Sequence, residues 1–316
     1  MTDRDAQCRA FLDGTRWQSW SGAPLAGDAS ARRYVRLTGP AGERAILMDA
    51  DPTLGEQVAP FVRIAEWLLA QGLSAPRILH HAMADGFLLL DDLGPDTIAV
   101  AAASGSEDDL YDAAVDVLIA LDAAPPPDGL TRMVPQVGAD MVAIVAETYH
   151  PGDPGPLVAA THDALLRLAP QADRIALRDY HAENLIWRPE RAGLDRVGLL
   201  DFQDAFIAPR GYDLASLLRD IRRPVAEAQV TRQTARFAAA TQTDPVALSA
   251  QLAALGAQRN LRILGVFARL VQRGKSRYAA YLPVVWDTLL RDLAHPALRD
   301  LREVVMTTLP PPQDRR

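Results

Sequence analysis

The stretch Leu177-Arg178-Asp179-Tyr180-His181-Ala182-Glu183-Asn184-Leu185-Ile186-Trp187, followed by Gly198-Leu199-Leu200-Asp201-Phe202, constrains this chain more than any other. Ile175-Ala176-Leu177 enters a short polar loop and Leu185-Ile186-Trp187 leaves it as an apolar strand. Arg188 to Gly193 turns, and Val197-Gly198-Leu199-Leu200 returns with an acid at its end. Asp and Asn are common in turns because their side chains bond nearby backbone, so Asp-x₄-Asn alone says little. Its setting, with acids at the mouths of two apolar strands, says more. Phosphoryl transfer from a nucleoside triphosphate needs a carboxylate near the acceptor hydroxyl and oxygen ligands for Mg²⁺. That ion is usually held by one or two carboxylates plus the substrate phosphates. On this reading Asp179 is the base, and Asn184 and Asp201 are the metal ligands.

Composition narrows the alternatives. With 316 residues, 49% hydrophobic and 23% charged, the chain can bury a substantial core and has room for two lobes. A net charge of −7 without a basic block argues against nucleic acid as a partner. A single cysteine, Cys8, excludes a disulfide framework or a multi-cysteine zinc site. The charged first residues lack a following apolar segment, and no run of about eighteen uncharged apolar residues exists. No membrane association is therefore expected, and the cytoplasm is the expected compartment, with a monomer as the expected state. Lys275 is the only lysine, so nearly all positive charge is arginine.

Periodicity predicts a helix over 4–20, then a small-residue loop, Leu25 to Ala31, running into a hairpin of 33–37 and 45–48. Such a loop lets backbone N–H groups approach an anion closely. A helix over 56–71 follows, then strands at 76–79 and 86–90. The break at Asp91-Asp92-Leu93-Gly94-Pro95 divides a strand-rich lobe, 1–93, from a mostly helical one, 94–316. Helices are expected over 107–122, 136–149, 225–241, 245–255, 257–273, 276–293 and 296–305, with a disordered tail from Pro310. Gly274-Lys275-Ser276 imitates a phosphate-binding loop, but Arg269 stands where that motif needs glycine. His181-Ala182-Glu183 begins a zinc-deaminase signature that one cysteine cannot complete.

With these residues in view, the chain resembles the aminoglycoside phosphotransferase family, and within it the N-acetylmuramate/N-acetylglucosamine anomeric kinases of cell-wall recycling. The resemblance rests on Gly27-Asp28-Ala29-Ser30 with Arg32-Arg33-Tyr34, Leu47-Met48-Asp49-Ala50, Phe87 to Gly94, Arg178 to Leu185, Asp201-Phe202-Gln203-Asp204, Tyr212 to Leu217 and Gln258-Arg259-Asn260-Leu261. It implies an α+β, bilobal protein-kinase-like fold: a small antiparallel-sheet lobe and a larger, mostly helical one. It also implies ATP and Mg²⁺ as cofactors and a small-molecule sugar acceptor. Ser30, Arg32, Arg33, Met48, Leu90, Asp91 and Leu93 would lie against the nucleotide, and His181, Asp204 and Arg259 against the acceptor.

Met48 stands where a kinase keeps its phosphate-binding lysine, so Arg32 and Arg33 are the nearest substitutes in sequence. That swap leaves any ion-pair role for Glu56 or Glu66 open. Asp213 either ties down the catalytic loop or caps its own helix. An anomeric sugar kinase is favoured; the alternatives are an aminoglycoside- or choline-type kinase, or a pseudokinase that binds without turnover.

Overall fold

The structure is a computed structural model that describes residues 3–25, 31–103 and 105–314. Along the chain run α1 (Asp3–Leu12), β1 (Ser21–Pro24), β2 (Arg33–Thr38), β3 (Arg44–Asp49), α2 (Ala59–Ala70), β4 (Ile78–Ala82) and β5 (Phe87–Asp91). Then come α3 (Ile98–Ala101), α4 (Glu107–Ala123), α5 (Pro135–Asp140), α6 (Ile144–Thr148), α7 (Gly155–Leu168), β6 (Ala172–Ala176), β7 (Leu185–Trp187), β8 (Val197–Leu199) and β9 (Phe206–Pro209). The remainder is α8 (Tyr212–Leu218), α9 (Glu227–Thr241), α10 (Pro245–Gln272), α11 (Leu282–Leu293) and α12 (Arg299–Thr308). Two compact units result, one of residues 1–97 with 185–204, the other of 98–184 with 205–316.

The first unit is built on a five-stranded antiparallel sheet of order β1-β2-β3-β5-β4. Period-two alternation gives it two unlike faces. Leu37, Ala45, Leu47, Phe87 and Leu89 form one, covered by Phe11 of α1, whose ring stacks 5.3 Å from Phe87. Tyr34, Met48 and Leu88 lie directly across from one another in register and share the other face. Helix α2 buries Phe61, Ile64, Ala65 and Leu68, the spacing of one helical face. The β7–β8 hairpin joins this unit through bridges Thr97 to Ile186 and Ser74 to Gly198, and Phe202 stacks on Phe61 at 4.9 Å. The sequence division at residue 93 had left that hairpin with the helical part. Non-local bridges, invisible to local patterning, place it here.

The second unit is mostly helical. One apolar cluster gathers Val145 and Tyr149 beside Leu261, Leu264 and Phe267 of α10 and Val285, Trp286 and Leu289 of α11. Each fully buried side chain of this size contributes about 1.5–3 kcal/mol. Strands β6 and β9 pair antiparallel and frame the polar loop that follows β6.

Several boundaries differ from expectation. The first helix stops at Leu12, and Gly14 follows with φ 70°. The span 136–149 is two short helices. Leu309 is buried and Pro310 accepts a hydrogen bond from Tyr149 Oη, so the expected tail disorder does not begin there.

The break expected near Gly256 is absent: α10 runs unbroken for 28 residues, with Asp244 capping its start through the amide of Ala247. Gly256 has another purpose. A Cβ there would stand 2.3 Å from Asp292 Oδ2, and Asp292 is buried and ion-paired with Arg219 at 2.6 Å. Gly256→Ala therefore sets a helix-propensity gain of about 1 kcal/mol against collision with a buried carboxylate. The collision wins, and a net destabilisation of about 1–3 kcal/mol is expected. Urea unfolding checks this; an unchanged or raised midpoint would contradict it.

Candidate active site

The loop after β6 is held by one buried acid. Asp213 accepts the backbone N–H groups of Leu177 at 2.5 Å and Arg178 at 2.9 Å. Its own helix is capped at Gly211, so the carboxylate serves the loop and not the helix end. Arg178 has φ 78°, a left-handed conformation that costs a side-chain-bearing residue roughly 1–2 kcal/mol. Its carbonyl accepts from Arg259 Nη1 at 2.8 Å, and Arg259 Nη2 donates to Ser216 Oγ at 2.6 Å. Tyr180 reaches inward and donates to the carbonyl of Ala114 on α4 at 2.8 Å. The peptide on either side of Asp179 is thus pinned from α8, α10 and α4.

Asp179 itself is half-buried. Asn184 Nδ2 donates to its carbonyl at 2.9 Å and lies 3.2 Å from His181 Nε2. Because Asn184 Nδ2 is a donor, Nε2 accepts and the imidazole proton sits on Nδ1. Burial, reinforced by the charges of Arg222 and Arg259, pulls His181 down to about 3, so it stays neutral. His181 is buried, and its Nε2 belongs to the loop's internal bonding, while Nδ1 meets no partner among the described residues. Arg259, expected against the acceptor, is 9% exposed, with both terminal nitrogens bonded to the loop and α8. Burial pushes the Asp213 carboxyl up to about 6 against the opposing pull of the two amides and Arg259.

In the other unit, Asp201 is exposed at the end of the β7–β8 hairpin, with φ 57°, and accepts from Gln203 Nε2 at 2.8 Å. Asp204 is exposed three residues on. Arg32 pairs with Glu56 at 2.9 Å, and its hydrogen bond and charge act on the Tyr34 hydroxyl, as do the charges of Asp201 and Glu56. Burial, the largest influence, raises that phenol. Arg33 points elsewhere. Strand alternation sends it to the opposite face, where it pairs with Asp49 at 2.5 Å beside Arg4 of α1. Arg33, expected against the nucleotide, is thus engaged with Asp49.

Met48 is wholly buried and Leu90 nearly so, on the Tyr34 face. Asp91 accepts the amide of Arg77, so its side chain closes the sheet. Asp92 holds Arg36 at 2.6 Å, fixing the segment that contains half-buried Leu93. The small-residue loop with Ser30 lies outside the described residues. Sequence reasoning missed the pairing of Arg32 with Glu56. It also missed the position of Arg262 on α10, although the arginine three residues after Arg259 was a visible signal.

Hard oxygen donors suit Mg²⁺. Asn184 commits its amide nitrogen to the loop, and Asp201 is an exposed carboxylate, so the two residues fit that ion chemically. Among the described residues no group of three or more His, Cys, Asp or Glu gathers as a metal site. No described helix is long and apolar enough to cross a membrane.

One unit carries a loop-borne acid followed by an amide and the other is built on an antiparallel sheet, the parts that a phosphotransferase combines. Residues 21–250 match the phosphotransferase enzyme family, and the chain belongs to it. It is 37% identical to an N-acetylmuramate/N-acetylglucosamine kinase of Caulobacter vibrioides over 95% of each chain. It is 33% identical to the kinase of the same name from Pseudomonas aeruginosa, over 89% of this chain and 87% of that one. In fold it matches a choline/ethanolamine kinase family protein from Mesorhizobium loti, with TM-score 0.66 at 15% identity over 96% of this chain and 99% of that one. The α+β, protein-kinase-like architecture expected from the sequence stands.

His181 generates a stability prediction. The unfolded chain takes up a proton on this residue near pH 6.5, whereas the folded chain does so only near 3. Between those values the unfolded state binds more protons, so the contribution to stability falls as pH drops, by roughly 1.4 kcal/mol per unit. His181→Gln lacks this dependence. Urea melts of both proteins from pH 7 to 5 should diverge, the wild type losing stability faster; parallel profiles would refute it.

Proposed function

We propose that this chain transfers the γ-phosphoryl group of ATP to the anomeric hydroxyl of N-acetylmuramic acid or N-acetylglucosamine, giving a sugar 1-phosphate and ADP. The observation that carries the chemistry is the loop 177–184, held rigid by Asp213 around a half-buried carboxylate at Asp179. The names and near full-length coverage of the curated relatives support the acceptor.

In this reading Asp179 orients the acceptor hydroxyl and takes its proton as the new oxygen–phosphorus bond forms and the bond to the ADP oxygen breaks. An anomeric hydroxyl is more acidic than an ordinary alcohol, so late proton removal by a carboxylate suffices. Asn184 and Asp201 would hold Mg²⁺, which supplies neutralisation of phosphate charge when bound. Arg32 takes the place of the missing small-lobe lysine: its side chain bonds the Tyr34 hydroxyl, and Glu56 fixes its guanidinium. A planar guanidinium grips phosphate bidentately.

Asp179→Asn should lower kcat by about 10²–10⁴ while nucleotide affinity stays near normal. This equals roughly 3–5 kcal/mol of barrier. Turnover at the wild-type rate would remove Asp179 from the base's role. Phosphorus NMR of the product distinguishes a 1-phosphate from a 6-phosphate, and a 6-phosphate would defeat the regiochemistry proposed.

The two small-lobe arginines separate as well. Arg32→Ala should raise the KM for ATP by roughly 10- to 100-fold, the weight of a hydrogen bond to a charged group. Arg33→Ala should leave that KM within about threefold and lower stability instead, because it strips a partner from Asp49. Equal effects on ATP would contradict the assignment.

A further inference from the structure

Arg262 stands out among the cations of the second unit. It lies three residues after Arg259 on α10, hence about 4.5 Å further along the axis and on the same helical face. Arg259 is tied to the carbonyl of Arg178, the residue before Asp179, so that face of α10 is turned toward the loop. Arg219, Arg222 and Arg232 each have a carboxylate within 3.2 Å. Arg262 has no hydrogen bond or ion pair to any described residue, and it is half-buried. Its charged neighbours are Arg178 and Arg259, which repel it, with Asp179 and Tyr212 acting the other way.

A half-buried guanidinium crowded by like charge, with no carboxylate bonded to it, is an incomplete ion pair. Its natural complement is an anion brought by a ligand. The carboxylate whose charge acts on it, Asp179, is the one assigned to the acceptor hydroxyl, so the missing anion belongs on the acceptor molecule itself. Resting on the proposed function, we infer that Arg262 binds the lactyl carboxylate of N-acetylmuramic acid and sets the preference for this sugar over N-acetylglucosamine. The two sugars differ in that anionic group, so a cation one helical turn beyond Arg259 has a ligand in one and none in the other. Burial and the neighbouring arginines hold Arg262 below its ordinary guanidinium value, and a bound carboxylate relieves that unfavourable field.

The test compares kcat/KM for both sugars in the wild type, Arg262→Gln and Arg262→Lys. The ratio of N-acetylmuramic acid to N-acetylglucosamine should fall about 10- to 100-fold in Arg262→Gln, through KM for the acidic sugar. Arg262→Lys keeps the charge without the planar fork and should lie between. The ratio cancels any loss of folded enzyme, so a partly unfolded variant still reports. An unchanged ratio in both variants overturns the assignment while leaving the kinase reading intact. A rise in KM for ATP, with the sugar ratio constant, overturns it in favour of a triphosphate contact. A wild type that phosphorylates neither sugar defeats the functional reading first, and this assignment with it.

Discussion

The carboxylate of Asp213 is the interaction on which the second unit's chemistry depends. It is buried, and burial alone disfavours a charge. Two amide donors from Leu177 and Arg178 and the nearby Arg259 guanidinium oppose that penalty, and the outcome near 6 records the contest. The arrangement holds Arg178 in a left-handed conformation, which fixes the direction in which the next residue, Asp179, leaves the chain. Removing the acid would orphan two buried N–H groups and release stored strain together. Arg259 completes the clamp from α10, so a 28-residue helix spanning the unit shares in locating one carboxylate.

Strain gathers where the chemistry is proposed. Of the three described non-glycine residues with positive φ, Arg178 and Asp201 fall in the two segments the sequence singles out. Asp201 has Gln203 bonded to its carboxylate, a local stay of the kind Asp213 provides from a distance. Such positions persist only where surrounding bonds over-determine them, and they cluster at functional sites.

What the sequence disclosed follows from range. Asp179, Asn184 and Asp201 were legible because loop, strand, turn and strand are contiguous and each apolar run is short and bounded. The hairpin of β2 and β3 was legible for the same reason. The burial of Arg259 was not legible, because its partners Arg178 and Ser216 are distant along the chain. Gly256 read as a helix break because its partner, Asp292, is 36 positions away and a close approach leaves no mark on local periodicity. The hairpin 185–204 could not be assigned to its unit from composition, since Ser74 and Thr97 make the bridges that hold it.

The absent lysine follows from sheet geometry in the proposed site. A residue directly across an antiparallel pair points to the same face, so Tyr34 on β2 occupies the face that Met48 leaves apolar. Arg32 lies just before the strand, and its side chain bonds the Tyr34 hydroxyl. Glu56 before α2 supplies the counter-charge that fixes it at 2.9 Å. Arg33, one residue later, is carried by strand alternation to Asp49 and the α1 side. Two adjacent arginines thus have different carboxylates, Glu56 and Asp49, and that difference separates the proposed phosphate contact from a structural pair.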